Sequence, residues 1–261
     1  MATFETLAIA ASFLLVSTTW AGAADVKAPR PADTFSTYPP KALLRGPDSV
    51  QQIAVDARQP DGSVADATEK ATFRSKNEAV ATVDSSGTVT AVADGKTEVI
   101  GNVGGKDLTI PVEVRDVATP PPVKFANEVV PVFTKLGCNA GGCHGSSRGK
   151  DGFRLSLFGF DPAGDYFRLT REQAVRRVNL SIPEESLLYT KVTGKVPHTG
   201  GKTFEPDSVH AKTLRDWVAA GAQSDVANAP TVTKVELFPP RVVMEGEGVK
   251  QRYIAVAHYS D

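Results

Sequence analysis

Cysteine, methionine and aromatic side chains are scarce in this 261-residue chain, and neither sign of charge prevails. There are two Cys and two Met, 7% of residues are aromatic, and the formal net charge is -1. With Lys+Arg 29 against Asp+Glu 30, no strong field recruits nucleic acid or anionic lipid, and no local basic tract does so either. Several catalytic signatures are missing too: there is no Gly-rich phosphate loop, no Ser nucleophile elbow and no His-Glu-x-x-His. Beyond the first residues, no apolar run is long enough to span a bilayer. What remains is ordinary for a globular protein, 41% hydrophobic and 23% charged, with 18 Pro and 22 Gly promising many turns. The length suits one large or two small domains.

The N-terminus reads as a targeting segment. Leu7 to Val16 is almost wholly apolar, and Ala21-Gly22-Ala23 supplies a small-x-small cleavage site. Residues 1–24 are therefore expected to be a signal peptide, which places the protein in the periplasm or at the cell surface. Its n-region departs from the usual pattern, with Glu5 and no Lys or Arg. A membrane anchor is the rival reading, but the apolar stretch is short for a span. Residues 25–37 (DVKAPRPADTFST) read as a flexible lead-in.

From Tyr38 to Asp116 short alternating apolar runs are separated by turn residues. Ala79 to Val83 is followed by Asp84-Ser85-Ser86-Gly87, and Thr88 to Val92 by Asp94-Gly95. Thr97 to Gly101 is followed by Gly104-Gly105, and Leu108 to Val114 closes the set. Period-two alternation at this spacing predicts a small antiparallel sandwich. Residues 117–123 (VATPPPV) predict an extended, semi-rigid linker.

Residues 124–222 read as mostly helical. Phe125, Val129, Val132, Phe133 and Leu136 recur at helical spacing, with Pro131 marking a kink or a late start. Ser186 to Val192 is a short helix candidate. Asp207 to Ala220 has a cap at Asp207 or Ser208, an apolar face of Val209, Leu214, Trp217 and Val218, and Gly221 as its stop. From residue 231 the texture returns to strands, Val232 to Leu237 and Tyr253 to His258. These are expected to open a further β domain over 231–261, cut short because a sandwich needs more strands.

Both cysteines lie in Cys138-Asn139-Ala140-Gly141-Gly142-Cys143-His144. A c-type haem is held by two thiols that add to its vinyl groups, with the next residue offering an imidazole to the iron. Two residues usually separate the cysteines; here there are four. The intervening residues are small, which lets backbone run close to a macrocycle. Two other chemistries use the same residues: a Cys138–Cys143 disulfide in an oxidising compartment, or a Zn²⁺ site completed by His198 or His210. For a second iron ligand the domain holds no Met, since the chain has only Met1 and Met244. His198, in the Val196-Pro197-His198-Thr199-Gly200-Gly201 loop, is preferred to His210, which begins the last helix. Two imidazoles would hold the iron at a lower potential than imidazole and thioether. Arg176, Arg177, Lys191, Lys195 and Lys202 are candidates to pair with haem propionates. Phe153, Leu155, Leu157, Phe158 and Phe160 are expected to form wall or core around the porphyrin.

Two resemblances join these readings. DGSVADATEKATFRSKNEAVATVDSSGTVTAVADGKTEVIGNVGGKDLTIPVEV resembles a bacterial immunoglobulin-like domain of group 2 (BIG2) over residues 38–116. That family spaces, presents or adheres and carries no catalytic residues. PVFTKLGCNAGGCHGSSRGKDGFRLSLFGFDPAGDYFRLTRE, RRVNLSIPEESLLYTKVTGKVPHTGGKTF and TLRDWVAAGA resemble the cytochrome-c-like domain of large exported planctomycete-type proteins over 124–222. The resemblances imply a multidomain fold: an all-β immunoglobulin-like sandwich, then a mostly α cytochrome-c-like domain, then a partial β segment. They imply one covalent haem c on Cys138 and Cys143, with its iron on His144 and His198. The chain would be an electron carrier rather than a catalyst, served by a redox partner protein or by fused C-terminal domains. The alternative is a cell-surface adhesion or interaction protein with a structural Cys138–Cys143 disulfide and no haem.

Overall fold

The computed structural model describes residues 34–60, 62–173, 175–244 and 246–261. The expected signal peptide, residues 1–24, lies outside the described residues, as does most of the lead-in.

The N-terminal part is mostly β, with sheets packed as an immunoglobulin-like sandwich. Its strands are β1 (Thr34–Tyr38), β2 (Ala42–Arg45), β3 (Val50–Gln52), β4 (Ala54–Arg58), β5 (Val64–Asp66), β6 (Thr72–Ser75), β7 (Ala81–Val83), β8 (Thr88–Ala91), β9 (Gly95–Val103) and β10 (Lys106–Arg115). They form three sheets, in the orders β1-β4-β5, β2-β10-β9-β6 and β3-β8-β7. The longest pairing is the antiparallel β9–β10 hairpin, turned at Gly104-Gly105, where both glycines take positive φ. Alternation does what the sequence predicts: Ile110, Val112 and Val114 point inward from β10 and are buried. They meet Leu44, Ile53, Val89 and Val99 in one core. Residues 34–37, read from sequence as flexible, instead pair as β1 with β4.

The second unit is helical and is built on α1 (Val130–Lys135), α2 (Pro162–Thr170), α3 (Leu187–Val192) and α4 (Val209–Ala219). A π-turn, Phe125–Val129, leads into α1. Pro131 lies where the π-turn passes into α1, with Val129 and Val130 already in helical backbone, so it marks a change of helical geometry rather than a late start. Ser208 caps α4 by accepting from the Ala211 N–H. Trp217 is fully buried at the centre, its ring 5.1 Å from Phe125 and its indole N–H donating to Gln223 O at 3.0 Å. The α2 helix has no counterpart among the sequence-predicted helices.

Strands β11 (Val232–Phe238) and β12 (Ile254–Tyr259) form a two-stranded antiparallel hairpin. It folds back on the sandwich. Gln251 donates to Asp56, the Arg252 N–H donates to Asp66, and Phe238 stacks on Tyr38 at 4.9 Å. Among the described residues, no helix is long and apolar enough to cross a membrane.

Candidate functional site

The Cys138–His144 segment starts where α1 stops, and the stop is specific. Gly137 takes φ +72, its N–H bonds to Thr134 O, and the Cys138 N–H reaches Phe133 O at 2.9 Å. This is the Schellman arrangement, which needs a residue tolerant of left-handed backbone at this position. It delivers Cys138, partly buried, onto the helical core. Two tight turns follow, Gly137 O to Ala140 N and Ala140 O to Cys143 N. The His144 N–H then returns to Cys138 O at 3.0 Å. Four residues between the cysteines are thus folded into compact turns that keep Cys138 next to His144. Gly145 must lack a side chain, because a Cβ there would sit 1.9 Å from Asn139 O.

Cys138, Cys143, His144 and His198 all line one cavity of about 390 Å³. The apolar wall comes from Phe133, Leu136, Phe153, Leu155, Leu169, Leu188 and Val192. Arg176, Arg177 and Lys191 also line it. Lys195 and Lys202 do not: Lys195 lies over the Tyr189 ring and Lys202 pairs with Glu205. Of the five residues read as wall or core, Phe153 and Leu155 fill that role. Leu157, Phe158 and Phe160 are exposed instead, at 48%, 62% and 90%. Phe158 takes φ +53, and this reversal turns the chain and its side chains outward.

The two imidazoles face the same space with nearly parallel planes, 7° apart, and ring centres 6.3 Å apart. His144 Nδ1 lies 3.0 Å from Phe153 O, and His198 Nδ1 lies 3.0 Å from Gly201 O. A carbonyl can only accept, so both Nδ1 atoms carry the proton and Nε2 is the lone-pair nitrogen of each neutral ring. This is the arrangement that orients a metal-binding His from behind. Burial, above all, holds His144 below the usual imidazole range, and the nearby His198 adds to it. A neutral ring is the form that ligates. Burial also pushes the Cys138 thiol up to about 11, with Cys143 contributing. The two cysteines are free thiols. His210 is on α4 against Phe204, away from the cavity lining.

These features can be tested against the two metal readings. Two metal–nitrogen bonds of about 2 Å, extended by the half-width of each ring, need about 6 Å between ring centres. The observed separation of ring centres, 6.3 Å, is of that size. A tetrahedral Zn²⁺ needs three or four protein ligands, and among the described residues no three His, Cys, Asp or Glu side chains converge to hold a metal. A porphyrin iron asks the protein for two axial ligands only, and the thiols and cationic side chains on the wall suit the rest of the group. The two thiols, two imidazoles and cationic side chains on one lining are the residue types a covalent haem would use.

Sequence reasoning named the two thiols and both imidazoles. It missed Asp151 and Thr199, which line the same cavity and bond to each other. Only the Asp151-Gly152 pair, a turn signal, hinted at either.

One family model, the bacterial Ig-like domain (group 2), matches residues 42–111. Among solved structures, the S-layer protein SbsC, domains 5-6, is similar over 36% of this chain and 47% of that one, at 23% identity and TM-score 0.29. SbsC domains 4 and 5 give 32% and 51% coverage, 21% identity and TM-score 0.26. An EHEC O157:H7 intimin mutant gives 36% and 45%, 17% identity and TM-score 0.22. The chain thus spans about half the length of these structures. No curated protein matches it.

Proposed function

We propose that residues 124–222 are an exported cytochrome-c-like module that carries one covalent haem for electron transfer. Cys138 and Cys143 would hold the group, and His144 and His198 would be its axial ligands. The bound haem supplies a one-electron Fe(III)/Fe(II) couple. The chain's own residues orient both imidazoles, exclude water with an apolar wall, and place Arg176 and Lys191 where carboxylates can be met. The immunoglobulin-like sandwich would space or anchor the module outside the cytoplasm, and a redox partner protein or fused C-terminal domains would exchange the electron. The observation that carries this reading is the pair of near-parallel imidazoles, each backed by a carbonyl, in the cavity that both thiols share.

A second reading has its own support. The group 2 Ig-like match at 42–111 favours a surface adhesion or interaction protein. In that reading the thiols form a structural disulfide.

The deciding experiment exports the chain in a host that matures c-type cytochromes, then takes an intact mass and a pyridine haemochrome spectrum. About one haem per chain, with no titratable thiol left, is the expected result. Colourless protein whose mass shows two hydrogens lost would establish the disulfide and end the electron-carrier reading.

A further inference from the structure

The turn Lys150–Phe153 touches the carbonyl behind His144 and the loop that carries His198. Its ends pair with each other, Lys150 N–H to Phe153 O at 2.8 Å and Phe153 N–H to Lys150 O at 3.0 Å. Asp151 and Gly152 between them take φ +52 and +74. Positive φ at both central residues is the type I′ pattern, for which Asp-Gly is a favoured pair. The turn is therefore rigid and short. Phe153 O, at its end, accepts from His144 Nδ1. Asp151 Oδ2, at its tip, accepts from Thr199 Oγ1 at 3.2 Å. Thr199 follows His198 directly, and the distal loop is tethered on its other flank by Lys191 Nζ to Pro197 O at 2.6 Å. One four-residue turn thus holds the backing carbonyl of one ring and the loop that carries the other.

We propose that Asp151 and Thr199 are positioning residues: their hydrogen bond ties the two loops across the cavity and sets the spacing between His144 and His198. The proposal rests on the haem reading above. Neither residue touches the ring nitrogens. They act by holding His198 in place against its own loop's freedom. With the tie cut, His198 would be held less firmly and added ligands would compete for its place more easily.

The test uses the full chain, exported and loaded with haem, and carbon monoxide as the probe of the reduced form. Thr199→Val and Asp151→Gly each remove the bond. Glycine tolerates the positive φ, so that variant keeps the turn. Thr199→Ser and Asp151→Asn retain a donor and an acceptor and serve as rescue variants. Asp151 and Thr199 are both exposed, so both severing variants are expected to bind carbon monoxide about two- to threefold faster than the parent, the low end of one net hydrogen bond. The rescue variants are expected to stay near the parent rate. A general loss of packing would not divide the four variants in this way. Coloured, fully loaded severing variants with the parent's rate overturn the tie alone. A colourless parent overturns the haem reading, and the tie falls with it.

Discussion

Asp56 is 2% exposed on β4, and one of its carboxylate oxygens, Oδ2, has no hydrogen-bond partner. Burial raises its pKa most, Asp66 across the strand pair raises it further, and the bond from Gln251 pulls the other way. The fold therefore prefers the protonated acid. The cost of holding the anion is present above the raised pKa and is relieved as pH falls through it. Arg58 and Arg241 line the cavity beside it without cancelling that preference. Asp56→Asn keeps the acceptor for Gln251 and removes the charge. It should stabilise the sandwich at pH 7 and flatten the gain that the parent shows as pH falls through the raised pKa toward 3.8. Thermal melts across that range check it, and an unchanged slope in the variant refutes the assignment. Such buried acids were not legible in the sequence, because Asp56 lies amid an ordinary alternating run. Cys138, Cys143, His144 and His198 were legible, because their chemistry is written locally. Asp151 and Thr199 were not, since they meet only through a contact 48 residues apart in the chain.

At the scale of elements, helix ends decided what could be read. The α4 helix announces itself by a Ser cap, an apolar face and a closing Gly, and it folds as those signals say. The α2 helix carries an equally readable start, Asp161 at the N-cap and Pro162 at the first position. Its apolar face is short, however, with Leu169 buried and Phe167 exposed, and no long period-3.6 run drew attention to it. The cap holds the helix directly, as Asp161 Oδ1 accepts from the Gly164 N–H at 2.9 Å. Asp161→Ala should lower stability by about 1 kcal/mol, and Asp161→Ser should recover most of it. Urea midpoints followed by Trp217 fluorescence measure the difference. A full-strength loss in both variants would point instead to the Arg168 ion pair, which Ser cannot replace. The β1 strand was missed for another reason. Its five residues pair with β4 along an edge, and edge strands show weak hydrophobic alternation.

The whole molecule has two kinds of core that share few ties. Trp217, Phe125, Leu214 and Leu169 belong to the helical one, and Leu44, Ile53, Val89 and Ile110 to a β one. Residues 117–124 between them form no helix or strand, and the ion pair Lys212–Asp48, 2.7 Å long, joins the units at the surface. An exposed pair of this kind contributes little, well under about 1 kcal/mol. The β11–β12 hairpin is bound to the sandwich rather than to the helices, so it adds to the β unit. Two separate cores joined weakly should unfold as two transitions. In a chain beginning at Asp25, Trp217 is the single tryptophan and reports the helical unit alone. Its fluorescence melt should diverge from the β signal in circular dichroism. Haem loading should raise the helical unit's transition and leave the β unit's in place, because the haem would pack and be ligated only in the helical unit. A single transition moving as one with haem loading would show that the sandwich and the helical unit fold as a block.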